Sequence, residues 1–215
     1  MNEKKNMVYG AHPVENLLKS SLQLDKIVIL KSISQNKIEK IIGLAKKQNV
    51  QIQWVGQRKE LDDITRDKNH QGVVAFIKTQ INYQQLEDFE NSKSLLMLDH
   101  ITDAGNFGAI LRSCDQLGID GVIIPQDRSI DVNATVIKAS SGAAFFVPVI
   151  RVVNLARALE KLKGWGFWSY GAVGEEGDDL SKVDFAPKTL LILGSEGKGI
   201  GKNLLKNSDF KITIP

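Results

Sequence analysis

Two apolar runs without alternation, Leu95-Leu-Met-Leu98 and Leu190-Leu-Ile-Leu193, constrain this chain more than any other feature. A strand with one wet face alternates apolar and polar residues. A run that is apolar throughout belongs to a strand covered on both faces, as in parallel sheets flanked by helices. Each run leads straight into a glycine-rich loop, Asp99-His-Ile-Thr-Asp-Ala-Gly-Asn-Phe-Gly108 after the first and Gly194-Ser-Glu-Gly-Lys-Gly199 after the second. Open parallel sheets bind ligands where their strands end. Asn106, Arg112 and Glu196 are therefore the polar side chains that sequence places beside a ligand.

The remaining pattern agrees. From Ser94 onward, strands at 94–99, 121–125, 144–149, 165–173, 189–193 and 210–214 alternate with helices at 107–117, 133–139, 154–163 and 202–206. That succession predicts an α/β domain with a mostly parallel sheet. Upstream, a helix beginning near Pro13, strands at 26–30, 50–55 and 72–77, and a helix over 38–48 form a smaller α/β unit. The expected organisation is an N-terminal domain over 1–78, a polar linker over 79–93 and a larger domain over 94–215.

Composition narrows the class only broadly. With 42% hydrophobic and 25% charged residues the chain reads as an ordinary globular protein, and a formal charge of +3 admits nucleic acid as a partner without requiring it. The single cysteine, Cys114, excludes an intrachain disulfide and a cysteine-built zinc site. His12 and His70 stand alone, without a second ligand at metal spacing, so no metal site is expected. No apolar run approaches the roughly 20 residues of a membrane span, and the polar start is not a secretory signal. The expected location is cytoplasmic. Trp165, Phe167 and Trp168 read as core or interface residues, with base stacking as the alternative.

The loops differ in chemistry. Asn106 suits the N-cap of the helix that follows. Phe107, Ile110, Leu111, Cys114 and Leu117 share one face of that helix, leaving Arg112 on the other, one turn beyond Gly108. Helical side chains lean toward the N-terminus, so Arg112 can reach back across the glycine to the loop and hold a phosphate or ribose; a solvated surface arginine is the alternative. The second loop is neither a P-loop nor a dinucleotide fingerprint, because its glycines fall in the wrong order. Glu196 in its centre would repel a polyphosphate and suits a positive centre or hydroxyl donors.

At these residues the chain resembles the SpoU/TrmH family of RNA ribose 2′-O-methyltransferases, within the SPOUT class, and most of all the RlmB type that methylates a guanosine of 23S rRNA. Asn106, Gly108 and Arg112 match the family's first motif, and Leu193-Gly-Ser-Glu-Gly-Lys-Gly199 its second. Arg128-Ser129 and Lys138-Ala-Ser-Ser-Gly-Ala143 resemble segments between them, and Val8 to Val14 and His70-Gln-Gly72 resemble its ribosomal-protein-like N-terminal domain. The resemblance implies a trefoil-knot domain that binds S-adenosylmethionine and works as a homodimer on RNA. It places the cofactor at Gly194, Gly197, Gly199 and Ile214, and the methyl-transfer site at Asn106, Arg112 and Glu196. RNA contacts are expected from Arg128, Lys138 and Arg151.

Two departures stand out. Ala104 follows Asp103 where the family has proline, and the chain ends at Pro215, where the family's third motif continues beyond Ile-Pro. On this reading the domain is truncated before the knot closes and is impaired in activity. The alternatives are a tRNA ribose methyltransferase, a non-catalytic RNA-binding relative and, more distantly, a Rossmann-type nucleotide enzyme.

Overall fold

The computed structural model describes residues 7–20, 22–78 and 83–214. In chain order the first elements are β1 (Met7–Tyr9), α1 (Ala11–Lys19), β2 (Leu24–Leu30), α2 (Gln35–Lys47), β3 (Gln51–Val55), α3 (Arg58–Thr65) and β4 (Val73–Ile77). Next come β5 (Ser94–Asp99), α4 (Ala104–Leu117), β6 (Gly121–Pro125), α5 (Ala134–Ala139), β7 (Val149–Val152) and α6 (Leu155–Gly164). The last are β8 (Trp168–Ala172), β9 (Asp178–Asp179), β10 (Thr189–Gly194), α7 (Lys202–Lys206) and β11 (Phe210–Thr213). None of these helices is long and apolar enough to cross a membrane.

The contacts form two compact units: Met1–Asn82 with Gly108–Arg112 and Asp131–Phe146, and Tyr83–Phe107 with Ser113–Ile130 and Val147–Pro215. In the first, the sheet order is β1-β4-β2-β3, with β4 antiparallel to both neighbours and β2 parallel to β3. Tyr9, Val28, Leu30, Leu61 and Val74 build its core. Helix α3 goes unmarked in the sequence because its apolar stripe is thin. Leu61 and Thr65 are its buried residues, and the Glu60 carboxylate accepts the Gln57 N–H at its start (2.9 Å). His70 is fully buried as a clasp: its Nδ1 accepts the Gly72 N–H at 2.9 Å and its Nε2 faces Asp62 Oδ1 at 3.0 Å.

Residues 131–146, read in sequence as part of the larger domain, group here with the N-terminal elements. The Asn16 side chain donates to the Ser141 carbonyl (2.6 Å), and Lys138 pairs with Asp67 (3.0 Å). Residues 143–145 are a 3-10 turn rather than the start of a strand. The Phe145 and Phe146 amides bond back to Gly142 and Ala143, and the small apolar Ala143 and Ala144 are buried by that turn. Strand β7 consequently begins at Val149, not Ala144.

The second unit is the predicted α/β architecture. Its sheet has the order β7-β6-β5-β10-β8-β11-β9, and every adjacent pair runs parallel. Leu95 and Met97 of β5 and Leu190 and Ile192 of β10 pack with Ile123, Ile150, Leu159 and Leu162. Part of the expected linker belongs to this core. The Gln84 N–H bonds to the Val149 carbonyl (2.9 Å), and a 3-10 turn, Leu86–Phe89, buries both terminal side chains. Two well-placed apolar residues in a polar stretch are enough, because Gly121 leaves room for the Phe89 ring: a Cβ there would lie 2.9 Å from Phe89 Cε1. Residues 79–82 of the expected linker lie outside the described ones. Phe167 is buried and Trp165 packs against the core, whereas Trp168 is half-exposed, its ring 5.8 Å from that of Phe210.

Candidate active site

Strands β5 and β10 are hydrogen-bonded neighbours, with Gly194 opposite Asp99. From β5 the chain steps outward to β6 and β7, while β10 lies on the other side. This is the switch point of an open parallel sheet, where a crevice opens between diverging loops. The two loops singled out by sequence thus leave the sheet side by side.

Their backbones are fitted tightly. A Cβ on Gly194 would lie 2.0 Å from the Gly199 carbonyl carbon and 2.2 Å from the Ile200 nitrogen, so only glycine lets the loop fold back over the strand end. The Gly199 N–H closes that turn on the Ser195 carbonyl (2.8 Å), with Gly199 left-handed at φ +64°. Asp99 ties the loops together. The residue is 3% exposed; its Oδ2 accepts the Gly201 N–H at 2.7 Å, and its Oδ1 is hydrogen-bonded to His100 Nδ1. His100 is itself left-handed (φ +60°).

Two clefts flank this staple. One, of about 700 Å³, is lined by His100, Thr102, Arg128, Ser195 and the stretch from Gly197 to Gly199. The other, of about 470 Å³, is lined by Asp99, His100, Asp127, Arg128, Asn154 and Lys202. Both volumes suit a nucleoside-sized ligand. His100 and Arg128 stand on the wall common to both.

Asn106 is not the N-cap expected of it. Helix α4 starts earlier, at Ala104, and Asp103 caps it by accepting the Asn106 backbone N–H (2.7 Å), which leaves the exposed Asn106 side chain free for a ligand. Gly108 is not a gap for Arg112 to cross either. A Cβ there would meet Ala139 Cβ at 2.4 Å and the Ser140 nitrogen at 2.8 Å, so the glycine exists for close packing on the end of α5. Leu117, placed by its spacing on the buried face, is 77% exposed because α4 ends there against a left-handed Gly118. Arg112 and Glu196 are exposed, and among the described residues neither side chain is held by a hydrogen bond or ion pair. Gly197 stands in open space, and Ile214 is exposed just beyond β11.

The three basic residues expected on RNA differ. Arg128 is exposed and left-handed at φ +58°. Lys138 is engaged within the fold, paired with Asp67 and 4.9 Å from the centre of the Tyr9 ring. The Asn69 N–H, together with Lys138, holds the Asp67 carboxyl down at about 2, and burial with the Asp67 carboxylate beside it pushes the Tyr9 hydroxyl up to about 12. Arg151 donates to the Gln126 carbonyl (2.9 Å) and lies over the Tyr83 ring (4.8 Å). The local sequence signal for this staple is an acid-histidine pair, Asp99-His100, directly at a strand end.

Residues 93–215 match the model of the SpoU rRNA Methylase family, and residues 7–82 match that for RNA 2′-O ribose methyltransferase substrate binding. A protein of Bacillus subtilis (strain 168) named as a TrmH family tRNA/rRNA methyltransferase is 36% identical over 222 residues, covering 100% of this chain and 88% of its own length. The solved rRNA methyltransferase of Sinorhizobium meliloti superposes with a TM-score of 0.79 at 22% identity, covering 99% of this chain and 80% of that one. The SpoU methyltransferase AviRb of Streptomyces viridochromogenes, solved with the cofactor AdoMet, gives 0.78 at 20% identity over 99% and 81%. The two structures speak for the fold. The impairment expected from the end at Pro215 gains no support from these alignments.

Proposed function

This chain belongs to the SpoU rRNA methylase family of RNA methyltransferases, and from that premise we propose that it transfers a methyl group from S-adenosylmethionine to a ribose 2′-hydroxyl in structured RNA. The observation that carries this reading is the register of Gly194 on Asp99, which sets both motif loops at one switch point. S-adenosylmethionine supplies a sulfonium-activated methyl group, so the protein's task is to align the hydroxyl and receive its proton.

The residues present fit that donor. The cleft bordered by the glycine loop presents the small residues Ser195, Gly197 and Gly199 together with His100, Thr102, Arg128 and Lys198, and the Glu196 carboxylate within that loop is exposed. In this reading Gly194, Gly197, Gly199 and Ile214 form the cofactor side. Asn106 and Glu196 fix the ribose, and the Arg112 guanidinium stabilises the developing alkoxide or holds a neighbouring phosphate.

The substrate we favour is a guanosine of 23S rRNA, gripped by the N-terminal elements that match a substrate-binding model and by Arg128, with Lys138 and Arg151 at most peripheral. The homodimer in this reading rests on the family resemblance. Incubating the purified chain with labelled S-adenosylmethionine and RNA from cells lacking the gene tests it. A 2′-O-methylated nucleoside in the 23S fraction is expected; label confined to tRNA would shift the substrate, and RNA binding without transfer would overturn the enzyme.

A further inference from the structure

The two N-terminal segments marked in the sequence, Val8 to Val14 and His70-Gln-Gly72, come together in the first unit. Ala11 and His12 of one and Gln71 and Gly72 of the other line a single cleft of about 700 Å³. Its remaining walls are the connection from β2 into α2 and the start of α3. That volume suits one nucleotide. We infer that this cleft grips an unpaired nucleotide of the RNA substrate, with Arg58 and Lys40 on its phosphates and the Gln71 amide donating to its base; the inference rests on the RNA-methylating reading above.

Three observations converge. First, the charge is one-sided. Arg58 and Lys40 line the cleft, whereas Glu15, the one acid among its described lining residues, is already paired with Lys19 at 2.7 Å. Arg58 is steadied by donating one N–H to the Lys68 carbonyl (2.7 Å), which leaves its other donors for an acceptor-rich ligand such as a phosphodiester.

Second, Gln71 is set as a donor. The Ala11 backbone N–H can only donate, so its bond to Gln71 Oε1 (3.1 Å) fixes the amide's orientation and leaves the side-chain NH2 to donate. The turn that carries it is rigid, with Gln71 at φ +55° and Gly72 at φ +80°. Buried His70 accepts the Gly72 N–H on one ring nitrogen and meets Asp62 with the other, which holds that turn in place. A Cβ on Gly72 would lie 3.1 Å from Ile33 Cδ1, so the turn presses directly on the wall of the cleft.

Third, the cleft has an apolar side as well as a charged one. Leu30 and Ile33 line it beside Gly72 and offer a surface that the face of a base can cover. Bases within a helix keep their faces stacked on one another, so only an unpaired nucleotide presents one. Donors for phosphates, a fixed amide for a base edge and an apolar wall for a base face thus lie in one cavity.

Filter binding of the full chain to 23S rRNA from cells lacking the gene tests the assignment. Lys40→Gln and Arg58→Gln should each weaken binding about 5-fold and lower the slope of log affinity against log salt by about 0.7. Gln71→Glu keeps an oxygen for the Ala11 N–H but removes the donor, and should weaken binding about 10-fold. Lys59→Gln makes the same charge change on α3 outside the cleft and should cost less than about 2-fold. Melting temperatures should stay close to the parent's. Cleft variants no weaker than Lys59→Gln overturn the proposal, as does a parent chain that retains no 23S rRNA. Photocross-linking to the same RNA carrying 4-thiouridine judges the site apart from activity. Cross-links from unpaired nucleotides to the peptides spanning residues 30–40 and 58–72 are expected; cross-links only elsewhere in the chain, or only from helical nucleotides, overturn it. Should the parent chain methylate no ribose, the functional reading falls, and the cross-links still decide the cleft.

Discussion

Arg112 and Lys138 carry similar positive charges in different surroundings. Arg112 is exposed and free of hydrogen bonds and ion pairs among the described residues. Arg112→Ala should therefore change the unfolding free energy by less than about 0.5 kcal/mol in urea titrations. On the proposed role it should lower methyl transfer by about 100-fold, because a charge stabilising the reacting oxygen is worth several kcal/mol in a desolvated site. Equal losses of stability and activity would make the arginine structural. Lys138 behaves oppositely, since its ammonium is held by Asp67. The folded Asp67 carboxyl lies at about 2 against an ordinary 3.8, so its contribution is present above about pH 4 and is lost as pH falls toward 2. Lys138→Met removes one cause of that depression. It should cost about 0.5–1 kcal/mol at neutral pH and move the onset of acid unfolding upward, as followed by circular dichroism. An unchanged acid profile would show that the Asn69 N–H and the Tyr9 hydroxyl suffice to hold the carboxyl down.

Among elements, α4 is the most exacting. Gly108 lets it approach the end of α5 closely enough that a single methyl would overlap backbone atoms at 2.8–2.9 Å. Gly108→Ala should destabilise by about 1–3 kcal/mol despite the better helix propensity of alanine, the overpacking cost exceeding the propensity gain. A stabilised variant would mean that the two segments part easily. The sequence marked β5 and β10 plainly, because a strand covered on both faces leaves an uninterrupted apolar run, and the loops after them were legible for the same reason. It marked poorly what depends on a few contacts: α3, with its thin apolar stripe, and Leu86 and Phe89, two core residues in a polar stretch. The cap on α4 was misplaced by three residues because Asp103 and Asn106 are both good caps, and only the backbone shows that the aspartate accepts the bond. Nothing local gives Asp99 more than its place at a strand end, since its value lies in a partner about a hundred residues away, Gly201.

At the scale of the molecule, contiguity in sequence and in space part company. Residues 131–146 lie between β6 and β7 in the chain yet group with the N-terminal elements. No local periodicity announces this; it follows from contacts such as Asn16 with Ser141, Lys138 with Asp67, and Ala134 against the core of the first unit. The two motif loops, by contrast, leave one parallel sheet, where Asp99 and Gly194 finish neighbouring strands. On the proposed function this edge moves a methyl group onto a ribose hydroxyl of RNA. Mass spectrometry of nucleosides from 23S rRNA and tRNA, each incubated with the purified chain and isotopically labelled S-adenosylmethionine, measures that directly. Label is expected in a 2′-O-methylguanosine of the 23S fraction. Label on a base, or none in either RNA while S-adenosylmethionine binds, would contradict it.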